Sequence, residues 1–165
     1  MPTASIGVAV RKAVADGLGE HFASLSGFNG NTAAEQKTVV AFGYDFSTLH
    51  REHVYTGRSR ASTPPAAMRS GRNTRNESGT FDLNVMVRAV ASADPDMDPA
   101  YQAELRAEAI GAEIEDWFAD RKSNELGVTG LRSLLVESWE SDYAKGDNAM
   151  NAIRTYVVRW TSRLE

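Results

Sequence analysis

The first periodic segment of the chain predicts a helix near the N-terminus. Apolar side chains recur there every three or four residues, which is the spacing of a single buried stripe along a helix. These residues are Ile6, Val10, Val14, Leu18, Phe22 and Leu25. We predict a helix over about residues 4–23, ended by a loop at residues 26–31.

A period of two begins at Lys37 and predicts the first strand, because alternate residues of a strand share one face. The residues of its apolar face are Val40, Phe42, Tyr44 and Phe46. A second extended segment follows near residues 52–60, with strand-favouring residues but a less apolar pattern. We expect this second strand to lie at a sheet edge or to project from the body.

Residues 61–78 predict a long projecting loop. Their sequence contains Pro64, Pro65, Gly71 and many small polar residues, which continue neither a helix nor a strand easily. Loops of this length are uncommon in compact domains and usually bind a partner or become ordered on assembly.

Three further strands are predicted beyond this loop. The clearest covers residues 81–89, where apolar and mixed positions alternate. Residues 131–143 and 152–164 predict a terminal hairpin with its turn at 145–148. One face of the last strand carries Tyr156, Val158 and Trp160, and we expect Leu135 and Trp139 to extend that face on its neighbour.

The strongest helix signal starts at residue 98. Asp98 is suited to capping free N–H groups and Pro99 suits the first helical position. We predict a helix to about Lys122, with its charged residues mostly off the apolar stripe. The stripe consists of Ala103, Ala107, Ile110, Ile114, Trp117 and Phe118.

Together these elements predict an α+β fold with the order α-β-β-β-α-β-β in a single domain over residues 1–165. Its sheet should be mostly antiparallel or mixed, with about five strands packed with two helices and a long loop between strands 2 and 3. A chain of 165 residues is sufficient for one well-buried core.

Composition narrows the classes of function. The sequence contains no cysteine, which excludes disulfide frameworks, thiolate nucleophiles and cysteine-based metal sites. A formal net charge of -4 does not indicate a general nucleic-acid-binding surface. The N-terminal region has the wrong order and length for a signal peptide, and no segment has the apolar length of a membrane helix. We therefore expect a protein that stays in the cytoplasm where it is made.

Candidate catalytic chemistry is sparse. His50 and His53 form a His-x-x-His pair with Glu52 between them, but a spacing of three places strand residues on opposite faces. We interpret these histidines, and His21, as surface or partly packed residues, with a metal or catalytic pair as the alternative. The glycine-rich segments lack a P-loop or dinucleotide motif. We predict no catalytic residue, no metal ligand and no cofactor.

Charge is segregated along the chain. Residues 58–76 contain five arginines and no acid before Glu77, whereas acids dominate residues 94–120. The basic set is Arg58, Arg60, Arg69, Arg72 and Arg75, and the acidic set is Glu104, Glu108, Glu115 and Asp116. We predict that these residues form a subunit or partner interface. Simple solvation and contact with nucleic acid are the alternatives, although the loop has no aromatic residue on which bases could stack.

Over nearly its whole length, the chain resembles the tail terminator family of long-tailed, siphovirus-type bacteriophages in the order and pattern of several segments. They are the N-terminal helix, the strand TFDLNVMVRAVAS, the acidic helix DPAYQAELRAEAIGAEIEDWFADRKS and the final hairpin ending NAIRTYVVRWTSRL. The resemblance implies a non-enzymatic structural protein of the virion. It implies a hexameric ring that caps the tail tube, ends tube polymerisation and joins the tail to the head.

The same resemblance implies the partners and the location of the protein. Its neighbours would be the tail-tube protein and a head-completion or connector protein, with genomic DNA passing transiently through the ring. It would be assembled in the host cytoplasm and remain at the head-tail interface of the virion, without contact with a membrane.

Other functions remain open at this point. Within phage tails, the chain could be another head-tail connector or a tail-tube subunit. A small-ligand-binding α+β module would line its cavity with Phe42, Tyr44, Trp139 and Trp160. A small hydrolase or metal-dependent enzyme would use His50, Glu52 and His53.

Overall fold

A computed structural model describes residues 5–32, 36–47, 50–62, 75–89, 96–121, 126–145 and 150–164. It confirms the predicted order of two helices and five strands. In chain order the elements are α1 (Gly7–Ser24), β1 (Thr38–Ala41), β2 (Glu52–Ser62), β3 (Arg75–Arg88), α2 (Pro99–Asp120), β4 (Leu131–Lys145) and β5 (Met150–Leu164).

The five strands form one mixed sheet in the order β1-β2-β3-β5-β4. β1 is parallel to β2, and all other neighbours are antiparallel. Both helices pack on one face, α1 against β1 and β2, and α2 mainly against β3 and β5. On the opposite face, called the outer face below, neither of the two helices of the described segments packs. Because β4 is an edge strand, α2 covers it only in part.

The core lies between the helices and the sheet, as the periodicities predict. On β3 the buried residues are Phe81, Leu83, Val85 and Val87, and on β5 they are Tyr156, Val158 and Trp160. The whole predicted stripe of α2 is buried. The side chain of Asp98 caps α2 by accepting a hydrogen bond from the backbone N–H of Ala100 at 3.0 Å. None of the described helices is long and apolar enough to cross a membrane.

The predicted extension of the first strand to Phe46 is wrong, because β1 ends at Ala41. Beyond Ala41, the backbone of residues 42–47 forms hydrogen bonds with side chains of β2 and not with the backbone of a described strand. The hydroxyl of Thr56 donates to the carbonyl of Phe42, and the backbone N–H of Asp45 donates to His53 Nε2 at 3.0 Å. Residues 42–47 therefore do not continue the strand, although their apolar residues alternate.

The bounds of the long loop between strands 2 and 3 are also corrected. Residues 61 and 62 belong to β2, and residues 75–78 belong to β3, while residues 63–74 lie outside the described part of the chain. β5 explains the longer β3, since it pairs with β3 from Arg75 to Arg88. β2 lies inside the sheet and not at its edge, but its residues beyond Tyr55 have no partner on β1 and pair only with β3.

Leu135 and Trp139 do not extend one apolar face of β4 as predicted. The register with β5 shifts between Val136 and Ser138, so a β-bulge separates the two residues. Leu135 lies opposite Arg159 on the outer face, and Trp139 lies opposite Tyr156 on the helix side. Both side chains are exposed.

Candidate subunit interface

The arginines predicted to form an interface include Arg58 and Arg60 on the C-terminal end of β2, and residues 58–62 and 75–80 are called the basic arm here. Arg58 and Arg60 are exposed, and neither contacts an acidic side chain within the described residues. Arg75 begins β3. Arg69 and Arg72 lie outside the described residues.

The outer face beside the basic arm is polar. Arg60, Thr80 and Arg159 form one row across β2, β3 and β5. Ser62, Ser78 and Thr161 form the next row. Arg159 also pairs with Glu137 of β4. This part of the sheet therefore presents hydroxyl and guanidinium groups to solvent.

The four acidic residues predicted for the interface are all exposed on α2, but they divide into two pairs. Glu104 accepts a hydrogen bond from the hydroxyl of Tyr143. Glu115 accepts one from Tyr156 at 3.0 Å and lies 3.6 Å from a guanidinium nitrogen of Arg154. These two carboxylates join α2 to the terminal hairpin.

Glu108 and Asp116 form the second pair. They make no ion pair or side-chain hydrogen bond within the described part of the chain, and so remain available to another molecule. Arg106 is the only basic residue of α2 and is bound elsewhere, to Glu52. No ion pair among the described residues joins the basic arm to α2. One subunit therefore carries two separate surfaces of opposite charge.

Of the proposed His50, Glu52 and His53 constellation, the two histidines lie together, with ring centroids 5.2 Å apart, but Glu52 does not join them. The carboxylate of Glu52 is buried and accepts hydrogen bonds from Arg106 Nε at 2.7 Å and from the Thr38 hydroxyl at 2.8 Å. His53 lies on the other side of β2, against residues 39–45. Among the described residues, no group of three or more His, Asp or Glu side chains is placed to hold a metal ion.

The residues proposed to line a ligand cavity are also dispersed. Tyr44 packs on His53 and Tyr55 at the outer face. Trp160 is fully buried on the helix side of the sheet. Trp139 lies on the edge strand β4, and Phe42 stacks beneath the guanidinium of Arg11. These four side chains do not share a cavity.

Sequence reasoning missed an exposed aromatic residue. Phe46 was predicted to lie on the apolar face of a strand, but it is 89% exposed. The one signal in the sequence is the following Ser47, preceded by Asp45, since such residues favour turns. The carboxylate of Asp45 accepts hydrogen bonds from Ser47 and His50, which hold the pKa of Asp45 far below its usual range.

His53 makes the stability of the protein dependent on pH. Its Nε2 accepts from the Asp45 N–H, so its Nδ1 donates to the carbonyl of Val39 at 3.1 Å and the imidazole must be neutral. Burial lowers the pKa of His53 below the usual 6.5. The unfolded chain therefore binds a proton near pH 6.5 that the folded chain does not bind.

We expect the free energy of unfolding to fall as the pH drops from 6.5 to 5, by up to about 1.4 kcal/mol per pH unit from this residue. Urea titrations at several pH values measure the slope. H53Q should remove the pH dependence that His53 contributes. H21Q, which replaces a partly exposed histidine of α1, should retain it. An equal slope in the wild type and in H53Q would refute the assignment.

Comparison of the sequence with protein-family models gives no match, and comparison with curated proteins gives no significant match.

Proposed function

We propose that the chain is a structural virion protein that assembles head-to-tail into a hexameric ring. The ring would cap the tail tube, end its polymerisation and join the tail to the head or connector, with DNA passing through it. The observation that supports assembly is the separation of Arg58 and Arg60 from Glu108 and Asp116 within one subunit, with no ion-pair partner for any of the four among the described residues. A closed head-to-tail ring requires two different, complementary patches on each subunit.

The hexamer, the tail-tube and connector partners and the place in the virion neck come from the resemblance of the sequence to tail terminators. One row of the outer face, Ser62, Ser78 and Thr161, carries hydroxyl groups alone and suits the wall of a water-filled channel, because each phosphate bound by a cation would add affinity that slows the passage of DNA. In the next row, Arg159 is paired with Glu137, and Arg60 belongs to the basic arm that we assign to the subunit contact.

Negative-stain microscopy combined with light scattering tests this proposal. The purified protein should form single rings, with a mass that stops increasing once the rings close. Long stacks would instead identify a tail-tube subunit. A monomer at all concentrations, with and without a tube protein, would refute the ring.

A charge reversal tests the complementary patches. R58E/R60E should weaken assembly about tenfold, since two exposed ion pairs each contribute about 0.2–1 kcal/mol and reversal makes them repulsive. E108R/D116R should have a similar effect. An equimolar mixture of the two variants should form rings again, because an alternating ring of even number places opposite charges at every contact.

K12E is the matched control for this experiment, since Lys12 is exposed on α1 and, within the described residues, forms an ion pair with Asp16 of the same helix alone. It should assemble normally. Sedimentation velocity measures all four samples. If both double variants assemble as the wild type does, these patches do not form the contact.

A further inference from the structure

The residues after β1 hold two aromatic side chains in contact with water. Phe46 is 89% exposed and Tyr44 is 37% exposed, and their ring centroids lie 4.6 Å apart. We call these two residues the aromatic knob. Apolar side chains of this size and exposure, adjacent to each other, are typical of a surface that binds a partner.

The knob is held in place by its neighbours. The backbone N–H of Asp45, between the two aromatic residues, donates to the buried His53. The carboxylate of Asp45 accepts from the Ser47 N–H at 2.9 Å and from His50 at 2.8 Å. Backbone held in this way loses little conformational entropy on binding, which favours an anchor that it carries.

An apolar groove lies at the opposite edge of the sheet, between the C-terminal end of α2 and β4. We call it the α2–β4 groove. Its apolar lining includes Phe118, Ala119, Leu134, Val136 and Trp139. Glu115 contributes a charged group to its wall. It has a volume of about 390 Å³, more than one aromatic side chain occupies.

The groove is open because α2 does not extend over the whole edge strand. Trp139 is 52% exposed, and the guanidinium carbon of Arg154 lies 3.7 Å from the centroid of its ring system. Arg154 is itself held by Glu115. The indole is therefore fixed on one side and free on the other, where an aromatic side chain could pack against it.

We propose that the aromatic knob of one copy of this chain inserts into the α2–β4 groove of a second copy and forms the apolar anchor of their contact. The inference rests on the proposed ring for its head-to-tail geometry. β1 and β4 are the two edges of one sheet, so the knob and the groove of a single copy lie far apart. Each copy can therefore offer its knob to one neighbour and its groove to the other.

The charges around the two surfaces support a second copy as the occupant. Near the knob, Arg51 follows His50, which binds Asp45, and its exposed side chain contacts no acidic side chain within the described residues. At the groove, Glu115 lines the wall, and Glu140 is exposed next to Trp139 on β4. A cation beside the knob therefore meets carboxylates beside the groove, whereas pairing groove with groove would bring like charges together.

Two substitutions test the contact from its two sides. F46S removes the anchor, and A119F fills the groove from an exposed position of α2. Each should raise the concentration needed for half-maximal assembly at least tenfold, as expected for an aromatic anchor in a pocket. Sedimentation velocity measures assembly, and circular dichroism checks that each variant is folded.

Matched controls are available for both variants. V8S removes an exposed apolar side chain from α1, and A112F introduces the same phenylalanine at an exposed position of α2 outside the groove. Both should assemble as the wild type does. If V8S and A112F weaken assembly as much as F46S and A119F, the specific contact is refuted.

Cross-linking tests the contact directly, because the chain contains no cysteine. S47C, at an exposed position that leaves both aromatic rings of the knob in place, and A119C, mixed and treated with a thiol oxidant, should give a disulfide-linked dimer. A mixture of S47C with A112C should not. A cross-link found equally in both mixtures, or in neither, would refute the contact.

These outcomes also separate the contact from the proposed function. If the wild type forms single rings and F46S and A119F leave them unchanged, the contact is wrong and the ring stands. If the two variants form normal rings but no longer bind a tail tube, the occupant of the groove is the tube protein and not a second copy. A wild type that remains monomeric refutes both proposals.

Discussion

Replacing Glu52 by glutamine should lower the free energy of unfolding by about 3 kcal/mol. The side chain of Glu52 is 2% exposed, and Arg106 reaches both of its carboxylate oxygens, from Nε at 2.7 Å and from a terminal nitrogen at 3.1 Å. Arg106 also donates to the carbonyl of Gly27 at 2.7 Å and lies over the ring of Phe28. The pair thus joins β2, α2 and the connection between α1 and β1.

The size of the effect follows from the charge that remains. In E52Q the guanidinium of Arg106 keeps its position but loses its counter-charge, and breaking a buried ion pair in this way costs about 3–5 kcal/mol. The lower end applies because the side chain of Arg106 is still 28% exposed, so water compensates part of the loss. Urea unfolding followed by tryptophan fluorescence measures the change.

Two further variants isolate the contribution of the pair. E108Q removes an exposed carboxylate from α2, the helix that carries Arg106. It should change the free energy of unfolding by no more than about 0.5 kcal/mol. E52L/R106M removes both charges and should be more stable than E52Q, because no uncompensated charge remains. A loss in E52Q below about 1 kcal/mol would contradict this role of the pair.

The elements that the sequence predicts correctly are those whose signals are local. Asp98 and Pro99 mark the start of α2 within two residues, and the stripe that follows repeats at the helical period. The alternation of Phe81, Leu83 and Val85 likewise identifies β3, because its two faces meet a core and solvent.

The predictions that fail depend on residues distant in the chain. Residues 42–46 alternate as a strand does, but Thr56 and His53 of β2 bind their backbone. The partners Glu52 and Arg106 are 54 residues apart, and nothing local distinguishes Glu52 from an exposed glutamate.

At the candidate interface, too, local features can be predicted from the sequence and long-range contacts cannot. Segregation of charge between residues 58–76 and α2 is a property of the sequence itself and can be predicted from it. Which carboxylates remain unpaired cannot be predicted, because Tyr143 and Tyr156, which bind Glu104 and Glu115, come from the terminal hairpin. The β-bulge that places Leu135 and Trp139 on opposite faces of β4 likewise depends on the register between β4 and β5.

Gly111 provides the second large effect, with a sign opposite to that expected from helix propensity. Alanine at the centre of a helix is normally about 1 kcal/mol more favourable than glycine. Here a Cβ atom would overlap the hydroxyl oxygen of Tyr156 and lie 3.2 Å from Nε of Arg154. Tyr156 is fully buried and has little freedom to move, so G111A should be destabilised by about 2 kcal/mol.

Removing the hydroxyl should reverse this result. Y156F loses the hydrogen bond to Glu115, which costs about 1 kcal/mol or less because the Glu115 side chain is 46% exposed and water can replace the donor. In the Y156F background the main overlap is gone, and G111A should be neutral or slightly stabilising. The double-mutant cycle should therefore give a coupling of about 2 kcal/mol between positions 111 and 156.

A112G is the matched control for this cycle, since Ala112 is the exposed neighbour of Gly111 on α2. It should destabilise both backgrounds equally, by about 1 kcal/mol, because it changes only helix propensity. Urea unfolding of the wild type and of the single and double variants measures each free energy of unfolding in the cycle. If G111A has the same effect with Tyr156 as with phenylalanine, contact with the hydroxyl is not the reason for glycine at this position.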